Sequence, residues 1–263
     1  MYKILDKYNI RQFENDLKEL NINLSDFQKS QFIQYYELLV EWNSFMNLTA
    51  ITDFDEVLKK HFIDSLSIVK AFDYIDKNIH AHKYNIDVIA EKDKSLKVID
   101  IGTGAGFPGI PLKIAFPRLQ IILLDSLQKR VKFLDEVIEK LQLANIDTFH
   151  GRAEDYAKPD QLREKYDLCV SRAVANLSTL SEFCLPFVKK DGIFISYKSE
   201  KLTDELKEAE KAVSILGGNV EGQLYFKLPH SDISRNLLII RKIKNTPEKF
   251  PRKAGLPAKE PIK

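Results

Sequence analysis

A short apolar run, Leu96 to Ile101, delivers the chain into Gly102-Thr103-Gly104-Ala105-Gly106-Phe107-Pro108-Gly109, and few folds can use such a turn. Glycine is required where the backbone takes positive φ or where a ligand must approach the main chain closely. Pro111 follows where a helix takes its first residues. The spacing therefore predicts a strand, a glycine turn and a helix, with the turn beyond the carboxyl end of the strand. Open α/β sheets bind ligands at that place.

The pattern continues downstream. Leu119 to Leu124 reads as a second buried strand ending in Asp125, and Leu127 to Leu143 as an amphipathic helix. Ile146 to His150, Tyr166 to Ser171 and Gly192 to Tyr197 read as further strands, with a helix over Leu177 to Val188. Thr203 to Leu216 is a helix closed by Gly217-Gly218. Strands alternating with helices imply βαβ units and a parallel sheet. Val220 to Leu228 and Asn236 to Ile243 are two strand-like runs with no helix between them, so an antiparallel pair should close the sheet.

Upstream, residues 1–72 read as a helical extension. Ser25 is a candidate N-cap, and Asp53 with Glu56 approximates a capping box. Residues 73–95 are polar with little periodicity and read as a linker or insertion. Residues 96–244 form the expected α/β core, and residues 245–263 a tail.

Charge distinguishes that tail. The chain of 263 residues has a formal charge of only +2, yet eight basic residues face two acidic ones after residue 240. A basic tail on an acidic body suggests a polyanionic partner. Pro247, Pro251, Pro257 and Pro261 oppose a helix, so the tail is expected to be an extended arm. Cys169 and Cys184 lack metal-site spacing, suit a reducing cytoplasm and read as core residues. The sequence contains no apolar run as long as a membrane span.

Three ligands compete for the glycine turn. A P-loop requires a Gly-Lys-Ser/Thr that this turn lacks. A dinucleotide fingerprint matches in a shifted register, at Gly104, Gly106 and Gly109, which keeps an NAD(P)-dependent oxidoreductase on a Rossmann fold as the alternative. Asp100-x-Gly102-x-Gly104-x-Gly106 is the third pattern. A carboxylate there suits a cationic ligand such as the ammonium of S-adenosylmethionine. Asp125, at the end of the second strand, is placed to accept ribose hydroxyls from either ligand. Gly151-Arg152-Ala153-Glu154 falls beside the expected adenine position.

At this point the chain resembles the RsmG (GidB) family of bacterial 16S rRNA guanine-N7 methyltransferases. The resemblance is carried by Glu41-Trp42-Asn43 with Asn47-Leu48-Thr49, by His61-Phe62-Ile63-Asp64-Ser65, by Gly102 to Gly109, by Leu124-Asp125-Ser126 with Lys129-Arg130, by Arg152-Ala153-Glu154, by Ser171-Arg172-Ala173 and by Pro251-Arg252-Lys253-Ala254-Gly255. It implies a class I S-adenosylmethionine-dependent methyltransferase, with a Rossmann-like seven-stranded sheet whose last strand is antiparallel and a helical N-terminal extension. It implies cofactor contacts at Gly102, Phe107, Ala153, Glu154 and Arg172. Asp100, Gly104 and Asp125 join them from the residue-level reading. The implied partner is 16S rRNA or the small ribosomal subunit, with no metal and no membrane, for a monomeric cytoplasmic enzyme.

Guanine N7 carries a lone pair and no proton, so its methylation needs alignment rather than a general base. The stretch Ser171 to Asn176 accordingly lacks the D/N-P-P-Y/F run of amine methyltransferases, and Cys184-Leu185-Pro186 is not a Pro-Cys nucleophile. Arg172 is the candidate catalytic residue, holding either the cofactor carboxylate or the guanine edge. His61 and Asp64 share a helix face and are expected to pair with each other, fastening the extension to the core. Lys129 and Arg130 suit a solvated face or a phosphate contact equally.

Overall fold

The computed structural model describes residues 7–90, 95–172, 175–198 and 203–263. Ala173 and Val174, in the stretch after the fourth strand, lie outside the described residues.

Seven strands form one sheet: β1 (Lys97–Ile101), β2 (Gln120–Asp125), β3 (Ile146–His150), β4 (Tyr166–Arg172), β5 (Val188–Lys198), β6 (Gly218–Lys227) and β7 (Ser234–Lys242). Their order is β3-β2-β1-β4-β5-β7-β6. β1 to β5 pair in parallel, and β7 runs antiparallel to β5 and β6, as the two helix-free runs predict.

Alternation along the strands divides the core in two, because successive side chains face opposite sides of the sheet. Val98, Leu168, Val170, Ile193, Ile195, Leu237 and Ile239 pack toward the N-terminal helices. Ile99, Cys169, Phe194, Leu238 and Ile240 pack on the other face with Cys184 and Phe250. Burial on both faces explains why these strands read as continuous apolar runs.

The N-terminal region comprises α1 (Arg11–Glu19), α2 (Asp26–Met46), a composite helix α3 and α4 (Val69–Ile79). Ser25 caps α2 in a capping box with Gln28, and Asp53 caps α3 by accepting from the Glu56 amide at 3.0 Å. α3 joins α-helical Phe54–Val57 and Asp64–Leu66 through a π-helical turn, Leu58–Ile63. Such turns re-aim side chains and concentrate at functional sites.

Two segments are more structured than their sequence suggests. Residues 73–90 pack into the fold. α4 runs to Ile79, two further short helical segments follow, and Tyr84 is fully buried with its hydroxyl donating to the Asp167 carbonyl at 2.6 Å. The tail is not a free arm. Phe250 and Pro257 are buried, and a short helix, Leu256–Lys259, lies against the core. Three of the eight basic residues after position 240 serve the fold: Arg241 pairs with Asp191, Lys242 is buried against the Leu185 and Val188 carbonyls, and Arg252 grips Glu182. Proline prevented a long helix but not docking, since the buried Glu182 carboxylate takes Arg252 as its partner.

Candidate active site

The glycine turn takes a backbone path that only glycine adopts without strain, and it is held at both ends. Gly102, Gly104 and Gly106 all take positive φ (68°, 65° and 97°). The Gly102 amide donates to the Leu124 carbonyl and the Gly104 amide to Asp125 Oδ2, both at 2.9 Å. A Cβ on Gly104 would meet no atom within 4 Å, so its face of the loop is open. Helix α5 (Gly109–Ala115) then begins tight against β1 and β2, because a Cβ on Gly109 would collide with Leu123 and Asp100.

Asp100 lies elsewhere than its pattern suggested. It is fully buried, and Oδ2 accepts from the Thr103 hydroxyl at 2.7 Å and the Gly109 amide at 2.9 Å. Through Oδ2 it closes the turn on itself. Oδ1 has no hydrogen-bond partner among the described residues. Burial pushes its pKa up to about 7, against the opposing pull of those two bonds and of Arg172.

Beside the turn lies a cleft of about 260 Å³. Gly102, Asp125, Ala153 and Glu154 line it together with Ile101, Leu124 and Phe183. It thus brings together four of the residues expected to hold a cofactor. Asp125 is anchored: Oδ1 accepts from the Leu127 amide at 2.9 Å, and Arg130 reaches Oδ2 at 3.3 Å. Arg130 therefore supports the cleft, while Lys129 leans on the Met46 carbonyl at 3.4 Å. The tail contributes Gly255 and Ala258 to the wall, and no local signal in the sequence had assigned them there.

Phe107 and Arg172 belong to a second constellation, next door. Arg172 ends β4, whose Ser171 hydroxyl donates to the Ile101 carbonyl immediately before Gly102. Its guanidinium donates to Asp64 Oδ2 at 2.9 Å, to His61 Nδ1 at 3.2 Å and to the Lys60 carbonyl at 3.2 Å. It also lies 4.9 Å from the Phe107 ring centre, and the His61 ring stacks on Phe107 at 4.5 Å. The expected His61–Asp64 pair is instead a shared grip on Arg172. Because a guanidinium only donates, His61 Nδ1 must accept, and Nε2 carries the proton toward Thr49 Oγ1 at 2.8 Å. Burial and then the Arg172 charge hold the His61 pKa down to about 3, so the ring is neutral. Asp64 also accepts from Arg235 Nε at 2.7 Å. A cavity of about 330 Å³ opens here, lined by Lys60, His61, Arg172, Lys198 and Arg235 among others. Arg235 and Lys198 were missed in the sequence because each sits at the end of an otherwise unremarkable strand.

Among the described residues, no group of three or more His, Cys, Asp or Glu side chains is placed to hold a metal, and no helix is long and apolar enough to cross a membrane.

A parallel sheet with an antiparallel seventh strand inserted between the fifth and sixth, carrying a glycine turn after its first strand, defines a class I methyltransferase. The family model described as rRNA small subunit methyltransferase G (GidB) matches residues 28–233. Three curated relatives bear the name ribosomal RNA small subunit methyltransferase G. That of Lachnoclostridium phytofermentans is 50% identical over 250 residues, covering 95% of this chain and 96% of its own. That of Acetivibrio thermocellus is 51% identical over 241 residues, covering 92% and 91%. That of Clostridium botulinum type A is 47% identical over 259 residues, covering 98% and 100%. The chain belongs to the rRNA small subunit methyltransferase G family. The oxidoreductase alternative is left without support.

Proposed function

We propose that this chain transfers the methyl group of S-adenosylmethionine to N7 of a guanine in 16S rRNA. The observation that carries the reading is the near full-length similarity to rRNA small subunit methyltransferases at about half identity. The two adjoining cavities give it a physical basis. The cleft offers apolar walls at Ile101, Leu124 and Phe183 and acceptor carboxylates at Asp125 and Glu154, which suit the ring, the ribose hydroxyls and the amino group of an adenosine. Gly104 leaves open space where a side chain would stand, which fits close approach of a bound molecule to the backbone.

When bound there, the cofactor supplies an electrophilic methyl on a sulfonium. The chain's own task is to align a guanine with it. N7 needs no deprotonation, and a neutral His61 places no cation of its own against a base that becomes positively charged on methylation. Arg172 is held by Asp64, His61 and Phe107, so its remaining donors are aimed rather than free. Arg172 and Arg235 share the single carboxylate of Asp64, which leaves net positive charge for the nucleotide's phosphates at the same cavity. Exposed Lys249, Lys253, Lys259 and Lys263 extend that charge along the tail for rRNA further away.

The test is methylation of 16S rRNA and of assembled small subunits with labelled S-adenosylmethionine, the product read as 7-methylguanosine by mass spectrometry. Absence of that nucleoside from both substrates would sink the proposal.

A further inference from the structure

The cofactor cleft has a wall made from the end of the chain, and its fastening is unusually complete. Arg252 donates from Nε and Nη2 to both oxygens of Glu182, at 3.0, 3.1 and 2.7 Å, and its amide adds a bond of 2.8 Å. The Glu182 side chain is wholly buried, so it depends on this partner. Glu182 lies on the helix Leu177–Cys184, directly before the cleft residue Phe183.

Further bonds secure the segment on either side. Arg163 holds the Phe250 carbonyl at 2.6 Å and the Thr246 carbonyl at 2.5 Å. The Thr179 hydroxyl donates to the Pro257 carbonyl at 3.0 Å, and Ser178 donates to the Ile262 carbonyl. Between these anchors Gly255 turns at φ +86°, and its amide donates to Glu154 Oε1 at 2.8 Å. Ala258 then faces the cleft from the other side of the turn.

We propose that the C-terminal tail is the outer wall of the cofactor cleft, and that Arg252 is the positioning residue that holds it there through Glu182. The inference rests on the reading that the cleft takes S-adenosylmethionine. One Glu154 oxygen is held by the Gly255 amide, so the other has a set direction toward the cleft. A ligand that touches both the core and the tail favours the docked tail by as much as docking favours the ligand.

The experiment uses the full chain. Titration calorimetry with S-adenosylhomocysteine first establishes binding by the unaltered protein; no binding overturns the cofactor reading itself. Given binding, Arg252→Ala and a chain ending at residue 249 should raise Kd at least tenfold. In steady state the Arg252→Ala loss should fall on KM for S-adenosylmethionine with kcat little changed, and Arg252→Lys should recover part of it. A Kd within twofold of the unaltered protein for both variants overturns the positioning role.

Should Arg252→Ala fail to fold, Ala258→Cys decides independently. Position 258 is exposed, while Cys169 and Cys184 are buried, so a thiol reagent reads the new cysteine. Saturating S-adenosylhomocysteine should slow its alkylation at least fivefold. An unchanged alkylation rate overturns the wall.

Discussion

Arg172 and Asp64 lie 108 residues apart in the chain and share a 2.9 Å ion pair that ties the end of β4 to the N-terminal helices. Asp64 is 4% exposed and also accepts from Arg235 at 2.7 Å, so one carboxylate balances two guanidinium groups. Asp64→Asn should therefore do more than remove a contact, because it strands both cations. We expect a loss of about 3–5 kcal/mol, the scale for breaking a buried pair from one side. Urea denaturation measures it, and a loss below about 1 kcal/mol would show that water already screens the cluster.

Gly104→Val should abolish cofactor binding while the protein stays folded. The Cβ would enter open space, so the cost to folding is the strain of a side chain at φ +65°. Such strain amounts to about 1–2 kcal/mol. Calorimetric affinity equal to that of the unaltered protein would remove the turn from the binding site.

Asp125→Ala should weaken cofactor binding by about 1.5–3 kcal/mol, the scale of a hydrogen bond to a charged group. The same carboxylate secures the Gly104 and Leu127 amides, so a modest drop in melting temperature should accompany it. If rRNA binding changes and cofactor affinity does not, the carboxylate serves a different ligand.

His61 makes stability depend on pH in one direction. Its folded pKa is depressed to about 3 from 6.5, so below pH 6.5 the unfolded chain takes up a proton that the folded one refuses. Stability from this group is full above pH 6.5 and declines as pH falls toward 3. At pH 5 the loss reaches about 2 kcal/mol at most, from about 1.4 kcal/mol per pH unit. Denaturation of the parent and of His61→Gln at pH 7.5 and 5.0 checks this: the variant should lose less. Equal losses would place the histidine in a solvated setting.

Replacing Lys249, Lys253, Lys259 and Lys263 together by glutamine should weaken rRNA binding and leave cofactor affinity intact. All four are exposed. If each meets a phosphate, the slope of log affinity against log salt should fall by about 3. An unaltered slope in filter binding would confine the tail to its structural role.

Much of this fold was legible because its signals are local. Four glycines in eight residues announced the turn, and apolar runs broken by amphipathic stretches announced the strand-helix alternation. The antiparallel ending was legible too, since two strand-like runs without a crossover helix can pair only that way. The packing of residues 73–90 was not legible because their helical segments are partly polar, and Tyr84 is held by a bond to Asp167 that no local window contains.

The site divides along the same line. Sequence alone determined the glycine turn, the acidic ends of β2 and the segment after β3, and the class of chemistry they suit. It also delivered Arg172 to the end of β4, because strand ends follow from periodicity. Tertiary structure decided what those groups do. Asp100 turned inward to hold the loop, Arg172 was taken up by Asp64 and His61, and a tail rich in cations became a wall. The physical reason is that a charge in the sequence does not name its partner. Glu182 and Arg252 stand 70 residues apart, and Glu154 and Gly255 stand 101 apart. Only the folded sheet brings each buried carboxylate within reach of the donor that stabilises it.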